Sequence, residues 1–156
     1  MEKGDEKIHK NKVHRVLAHS YTVYLVLFLV GVCLDFIFKI KLFSDSVMLP
    51  VGFFFLLLSS ALIVWAQKTG RDLRKYTEIK KEHFSKGPYS YTRVPTQWGL
   101  FLLMLGFGII ANALFVILTT ILSFLIARFM FLDKHDKFLI EKYGEAYAEY
   151  KKLVKF

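Results

Sequence analysis

Residues 87–99 read GPYSYTRVPTQWG and stand directly in front of a long uncharged stretch. Two tyrosines, an arginine, two prolines and a tryptophan fall within these 13 residues. Arg93 offers the planar fork of N–H donors that suits an anion. Tyr89 and Tyr91 offer flat apolar faces tipped with a hydroxyl. Pro95 fixes the entry into whatever follows, and Gly99 allows a ligand or a neighbouring backbone to come close. A second group lies downstream, where the His135 imidazole adjoins the Asp136 carboxylate, followed by the tyrosine-rich KYGEAYAEY at 142–150. Arg93 is suited to anchor an anionic group and Asp136 a cationic one, provided that the chain brings the two segments together.

Whether they meet depends on the elements between them. Hydrophobic residues make up 54% of the 156 and aromatics 17%, yet the formal net charge is +9. Such apolarity and basicity coexist only when segregated along the chain, and here long apolar runs alternate with basic loops. This is the pattern of an all-α, multi-span membrane protein with the lipid bilayer as its partner. A soluble basic domain would leave those runs unburied, so no nucleic-acid partner is expected. The single cysteine, Cys33, excludes an intrachain disulfide and a cysteine metal cluster, and its expected role is that of a small buried apolar side chain. The histidines show no metal-ligand spacing. Residues 1–15 are too polar to open a cleavable signal.

The chain reads as one membrane domain, 1–156. Residues 1–17 form a basic cytoplasmic tail. Two spans occupy 20–67, about Ser20 to Phe38 and Val47 to Ala66, with Trp65 and Gln67 at the far interface. Asp35 lies near the end of the first span and is expected to pair with Lys39, four residues on. The loop 68–96 carries eight lysines and arginines. From Trp98 to Leu132 a single helix would be about 52 Å long against a hydrocarbon core of about 30 Å. The stretch therefore folds back near Asn112 into two helices, about 98–112 and 114–132, within a helical hairpin at 97–132. Four spans then place both termini and the basic loop on the cytoplasmic side. Gly106 and Gly108, inside a span, are expected to serve helix packing. The segment 133–156 reads as one amphipathic tail helix with a stripe of Leu139, Tyr143, Tyr147, Tyr150 and Val154. Gly144 weakens that helix, so a close approach is expected there.

A GPY-x-Y-x-R-x-P segment opening a hairpin, followed some 40 residues later by an acidic position and L-xxx-[FY]-G-xx-Y-xx-Y, resembles the isoprenylcysteine carboxyl methyltransferase and phospholipid methyltransferase superfamily of integral membrane enzymes. The resemblance covers about Gly70 to Lys151. Arg93, Pro95 and Gly99 match its first motif. Val94 stands where the superfamily carries histidine, Gln97 where it carries tyrosine, His135 and Asp136 where it carries paired glutamates, and Lys81 at a common histidine position, with His83 nearby. The resemblance implies S-adenosylmethionine as cofactor and methyl transfer to a lipophilic acceptor: a prenyl-cysteine carboxylate, an isoprenoid acid or a phospholipid amine. It implies Arg93 as the catalytic residue, and Tyr89, Tyr91, Pro95, Gln97, His135, Asp136, Tyr143 and Tyr147 around the cofactor, with no metal.

The residues fit that chemistry, because the cofactor needs a slot for adenine, an acid for its ammonium and donors for its carboxylate. Two readings from other classes stand beside it. One is a non-catalytic membrane protein that keeps the fold with a degenerate pocket, favoured by the substitutions at 94, 97, 135 and 136. The other is a sterol-reductase-like NADPH enzyme, for which this chain is short. For single residues the plainer roles are an interfacial arginine at Arg93, a helix-capping acid at Asp136 and a tail helix lying on the membrane face.

Overall fold

The computed structural model describes the backbone of residues 2–42, 48–73 and 81–154, and the side chains of 18–42, 48–72, 82 and 84–154. The charged side chains of the tail 1–17, the expected span start at Val47, positions 74–80 of the basic loop, and the side chains of Lys81 and His83 lie outside the described residues. All regular elements among the described residues are helical: α1 (Glu2–Phe38), α2 (Met48–Leu73), α3 (Lys81–Phe84), a 3-10 turn (Gly87–Ser90), α4 (Pro95–Ile110), α5 (Leu114–Ile126), a π turn (Ala127–Phe131), α6 (Leu132–Tyr143) and α7 (Glu145–Leu153).

Three stretches are long and apolar enough to cross a membrane: Ala18–Phe38, Met48–Asp72 and Leu114–Tyr143. The fourth, α4, has 16 residues. At 1.5 Å per residue it is about 24 Å long, shorter than a hydrocarbon core of about 30 Å. The helices pack in the order α2, α4, α5, α1. Their outward faces carry Leu25, Phe36, Phe53, Phe54, Leu57, Leu118 and Leu122, all exposed, whereas Ser20, Ser59, Thr119, Thr120 and Ser123 are buried between helices. Small and polar side chains inside with large apolar ones outside is the arrangement lipid favours, because lipid tails give apolar side chains no reason to turn inward.

The close pairing of α2 with α4 depends on missing side chains. A Cβ on Gly52 would lie 2.8 Å from the Gly106 carbonyl oxygen, and one on Gly106 2.9 Å from the Gly52 carbonyl oxygen. Gly99 sits against the Ile63 side chain and the Ser59 carbonyl. Its small size therefore serves the approach of α2.

The hairpin expected at Asn112 is present. Pro95 starts α4 where its lack of an N–H is harmless, with the preceding Val94 outside the helical region. Asn112 takes a left-handed conformation, φ 51°, which asparagine tolerates better than most residues. Its side-chain oxygen accepts the Leu42 N–H at 2.9 Å, so the hairpin tip and the α1–α2 connection lie at the same end of the bundle.

Asp35 works differently from the expected pair with Lys39. Its carboxylate accepts the N–H of Phe115 at 3.0 Å and of Val116 at 2.8 Å. The residue at the N-cap of α5, Ala113, has no side chain able to cap. Asp35 supplies from α1 what Ala113 lacks: two acceptors and a negative charge at the positive end of a helix. Cys33, expected to be buried, is exposed, because α1 touches the bundle along one face.

Fourth-span helicity runs on through the π turn into α6, so no break separates hairpin from tail at 133. The tail breaks instead at Gly144, with φ 59° and ψ −136°. A Cβ there would meet nothing within 4 Å. The glycine is needed for its backbone conformation, which side chains disfavour, and the expected close approach is absent.

Asp35→Ala should lower the stability of the purified protein by about 1–2 kcal/mol, the usual loss for a helix cap, while Asp35→Asn, which keeps one acceptor, should lose less. Thermal unfolding in detergent checks the order; equal stability of all three proteins would remove Asp35 from the α5 cap.

Candidate functional site

The segment 87–97 is shaped by its own short-range bonds. Gly87 has φ 60°. The Ser90 hydroxyl donates to the Gly87 carbonyl at 2.7 Å, and the Tyr91 and Thr92 amides both reach the Pro88 carbonyl at 3.2 Å. This tight turn sends successive tyrosines in opposite directions. Tyr89 points inward, with its hydroxyl against Gly70 of α2. Tyr91 is 78% exposed and points away.

Inward of this turn lies a cavity of about 420 Å³ at the N-terminal end of α4. Its wall is assembled from four places: Tyr21 of α1, Ala66, Gln67, Gly70 and Arg71 of α2, Tyr89 and Arg93–Gln97 of the motif segment, and His135 of α6. Gln97 is nearly fully buried and donates toward the Ser20 hydroxyl at 3.4 Å, tying α4 to α1. The His135 Nδ1 is buried with no hydrogen-bond partner among the described residues.

Behind the wall, Asp136 is completely buried. One carboxylate oxygen takes the Tyr147 hydroxyl at 2.7 Å. The other takes the Arg93 guanidinium and the Lys151 ammonium, the latter at 3.1 Å. Burial, reinforced by the hydrogen bond to Asp136, holds the Tyr147 hydroxyl protonated well above the usual tyrosine range. The Tyr150 hydroxyl, also raised mainly by burial, donates to the Tyr89 carbonyl at 2.6 Å. The tail stripe thus has a place: Tyr147, Tyr150 and Val154 form a core with Phe84, joined by Tyr89, Leu139 and Tyr143. The Phe84 ring lies 5.2 Å from Tyr143 and 5.4 Å from Tyr147. Those tyrosines pack on protein where an interfacial helix would offer them to lipid.

Of the residues singled out by sequence, Tyr89, Arg93, Pro95, Gln97 and His135 share the cavity wall. Asp136 stands one layer behind and holds Arg93, with Tyr147 on its other oxygen. Tyr143 belongs to the aromatic core and Tyr91 to the surface. Asp136 and Arg93, read as grips for opposite ligand charges, grip each other. Tyr21, Gln67, Arg71, Phe84 and Lys151 were not singled out. Gln67 and Arg71 had looked like an interface marker and one loop charge among eight. Nothing in the local pattern around Tyr21 or Lys151 points to the site, since each reaches it through tertiary packing.

A family model described as phospholipid methyltransferase matches residues 46–146, about two thirds of the chain. The chain belongs to the phospholipid methyltransferase family. No curated protein and no solved structure matches it. The matched region takes in α2, the motif segment, the hairpin and α6, and it carries most of the cavity wall. The family makes the chain a membrane methyltransferase at that level, and methyltransferases of this kind generally use S-adenosylmethionine. Tyr21 and Lys151 lie outside the matched region on either side.

Removing a buried carboxylate that serves two cations leaves both without it. Asp136→Ala should therefore destabilise the protein by roughly 3–5 kcal/mol, and it should make the chain after Gly144 an early target for limited proteolysis. Thermal unfolding and proteolytic mapping check both; wild-type stability would mean that the cluster is held by the aromatic core alone.

Proposed function

We propose that this protein is an S-adenosylmethionine-dependent methyltransferase acting on a lipid-borne acceptor, with the cavity at the head of α4 as its cofactor site. The observation that carries the reading is the convergence of Tyr89, Arg93, Gln97 and His135, from two distant motifs, on one cavity. Its volume lies in the range typical of ligand sites, about 300–1,000 Å³. The substitutions at Val94 and Gln97 sit in the wall and leave the cavity open, which favours the enzyme over a degenerate relic.

The wall suits the cofactor's parts. Tyr21 and Tyr89 offer aromatic faces for adenine. Arg71 and Arg93 offer guanidinium donors for the carboxylate. The side-chain oxygens of Gln67 and Gln97 suit the ammonium, a role the ion-paired Asp136 is poorly free to take. When bound, the cofactor supplies a methyl group activated by a sulfonium. The protein's part is then to orient both reactants and keep water away, since methyl transfer is an in-line displacement that gains most from positioning and dryness. The short α4 places this site at the edge of the apolar layer, where a prenyl-cysteine carboxylate, an isoprenoid acid or a phospholipid amine would present its reactive atom.

Calorimetry with S-adenosylhomocysteine on the full chain in lipid nanodiscs tests this. Micromolar affinity, about −8 kcal/mol, is expected, with Arg71→Ala weakening it roughly ten- to a hundredfold through loss of a charge-assisted contact. No heat and no thermal stabilisation at millimolar ligand would sink the methyltransferase reading for this chain.

The orientation that goes with this function has both termini and the cavity in the cytoplasm. The basic loop and the hairpin tip lying beside Leu42 support it. In a Cys33→Ser background, Lys41→Cys should react with an impermeant thiol reagent in intact cells and Lys152→Cys only after lysis. Labelling of Lys152→Cys in intact cells would reverse the orientation.

A further inference from the structure

Lys151 follows directly on the tyrosine motif that ends at Tyr150 and lies beyond the matched region. Yet its ammonium reaches the Asp136 oxygen that Arg93 also uses. Arg93 faces two ways: it lines the cavity, and its guanidinium bonds the buried carboxylate. A carboxylate oxygen shared by two cations binds each less firmly than it would bind one. Whatever share of Asp136 goes to Lys151 is withdrawn from Arg93, and Arg93 then presents more positive charge to the cavity.

We propose that Lys151 is a positioning residue which, by sharing Asp136 with Arg93, sets how strongly the cavity attracts an anionic group. The ligand class is a carboxylate or phosphate, whether on a small molecule or a lipid headgroup. When such an anion engages Arg93, Lys151 remains as the partner of Asp136, so the buried carboxylate is never left alone. This is why a second cation beside a pair that already looks neutral has a use: without it, an anion that drew Arg93 off the carboxylate would leave a buried charge with only the neutral Tyr147 hydroxyl. The proposal rests on the cavity being a ligand site with Arg93 in its wall, and it does not depend on which cofactor fills it.

The test uses the full chain in phosphatidylcholine nanodiscs, at constant ionic strength set with chloride. The probe is inorganic sulfate, followed by the rise in melting temperature it causes, with S-adenosylhomocysteine as a separate arm. Sulfate is expected to stabilise wild type and Lys151→Arg alike. Lys151→Met, and Lys151→Gln as a second neutral variant, should bind sulfate about fivefold more weakly, the effect of an ion pair worth about 1 kcal/mol. Lys152→Met removes the same charge from the neighbouring exposed position, and it should leave sulfate affinity at the wild-type value. Arg93→Met should abolish the sulfate effect. If Lys151 were only a tether for α7, its neutral variants would lower the melting temperature equally with and without sulfate, and the proposal would be overturned. Equal losses in the Lys151 and Lys152 variants would overturn it as well, since net charge alone would then account for the effect. So would sulfate-insensitive wild type that still binds S-adenosylhomocysteine. The expected sulfate pattern in a protein that does not bind S-adenosylhomocysteine would uphold the role of Lys151 and remove only the methyltransferase reading.

Discussion

One buried carboxylate holds the site together. Asp136 has no exposed surface, and a lone charge so placed would be very costly. It is tolerated because three donors from two other segments converge on it: Arg93 from the motif before α4, and Tyr147 and Lys151 from α7. The cost of burying the charge therefore becomes a constraint on the fold. Segments 43 residues apart must meet, and α7 must bend back beneath α6 to complete the set. The turn that lets it do so is Gly144, whose positive φ breaks the tail where a continuous helix would carry Tyr147 and Lys151 away from Asp136. The aromatic core of Phe84, Tyr147 and Tyr150 then closes over the junction.

The shortness of α4 is the second constraint. A full-length span starting at Pro95 would carry its far end beyond the α1–α2 connection, but Asn112 turns the chain at that connection and bonds to Leu42. With the tip fixed, the missing length appears at the other end, where α4 begins. There the flanking α1 and α2 run past its start, and the space they leave is the cavity. Its wall consequently comes from helix sides and from the turn ahead of α4, which explains why residues as distant as Tyr21, Arg71 and His135 share it.

The hairpin was legible in sequence because an uncharged stretch of that length has few ways to fit a bilayer and because basic residues favour one side. Asn112 stood where such a turn had to be. The tyrosine stripe was legible because helical spacing is local. Pairing across the bundle was not. Asp35 looked committed to Lys39, its neighbour along α1, but two unpaired amides at the start of α5 make a stronger demand on it than a surface lysine does. Arg93 and Asp136 were each recognisable as chemically apt, and the same aptness drew them to one another once both left water. Gly144 stands out in a helical pattern, but the competing reasons for a glycine, close approach or special backbone angle, are separated only by the fold, which gives it a positive φ and open space.

The family match leaves two ends of the chain outside it, and both reach the site. Tyr21 of α1 contributes to the wall, and Ser20 receives the side chain of Gln97. A tyrosine at 97 would carry a ring toward α1 in place of an amide, so Gln97 and the polar Ser20 opposite it belong to one local solution. Lys151, at the other end, touches the carboxylate that holds Arg93. The matched core thus carries most of the cavity wall, while α1 adds Tyr21 to it and α7 adds Lys151 to the carboxylate behind it. Changes in α1 and α7 accordingly fall on the cavity wall and on the Arg93–Asp136 pair, away from the packing of α2 against α4.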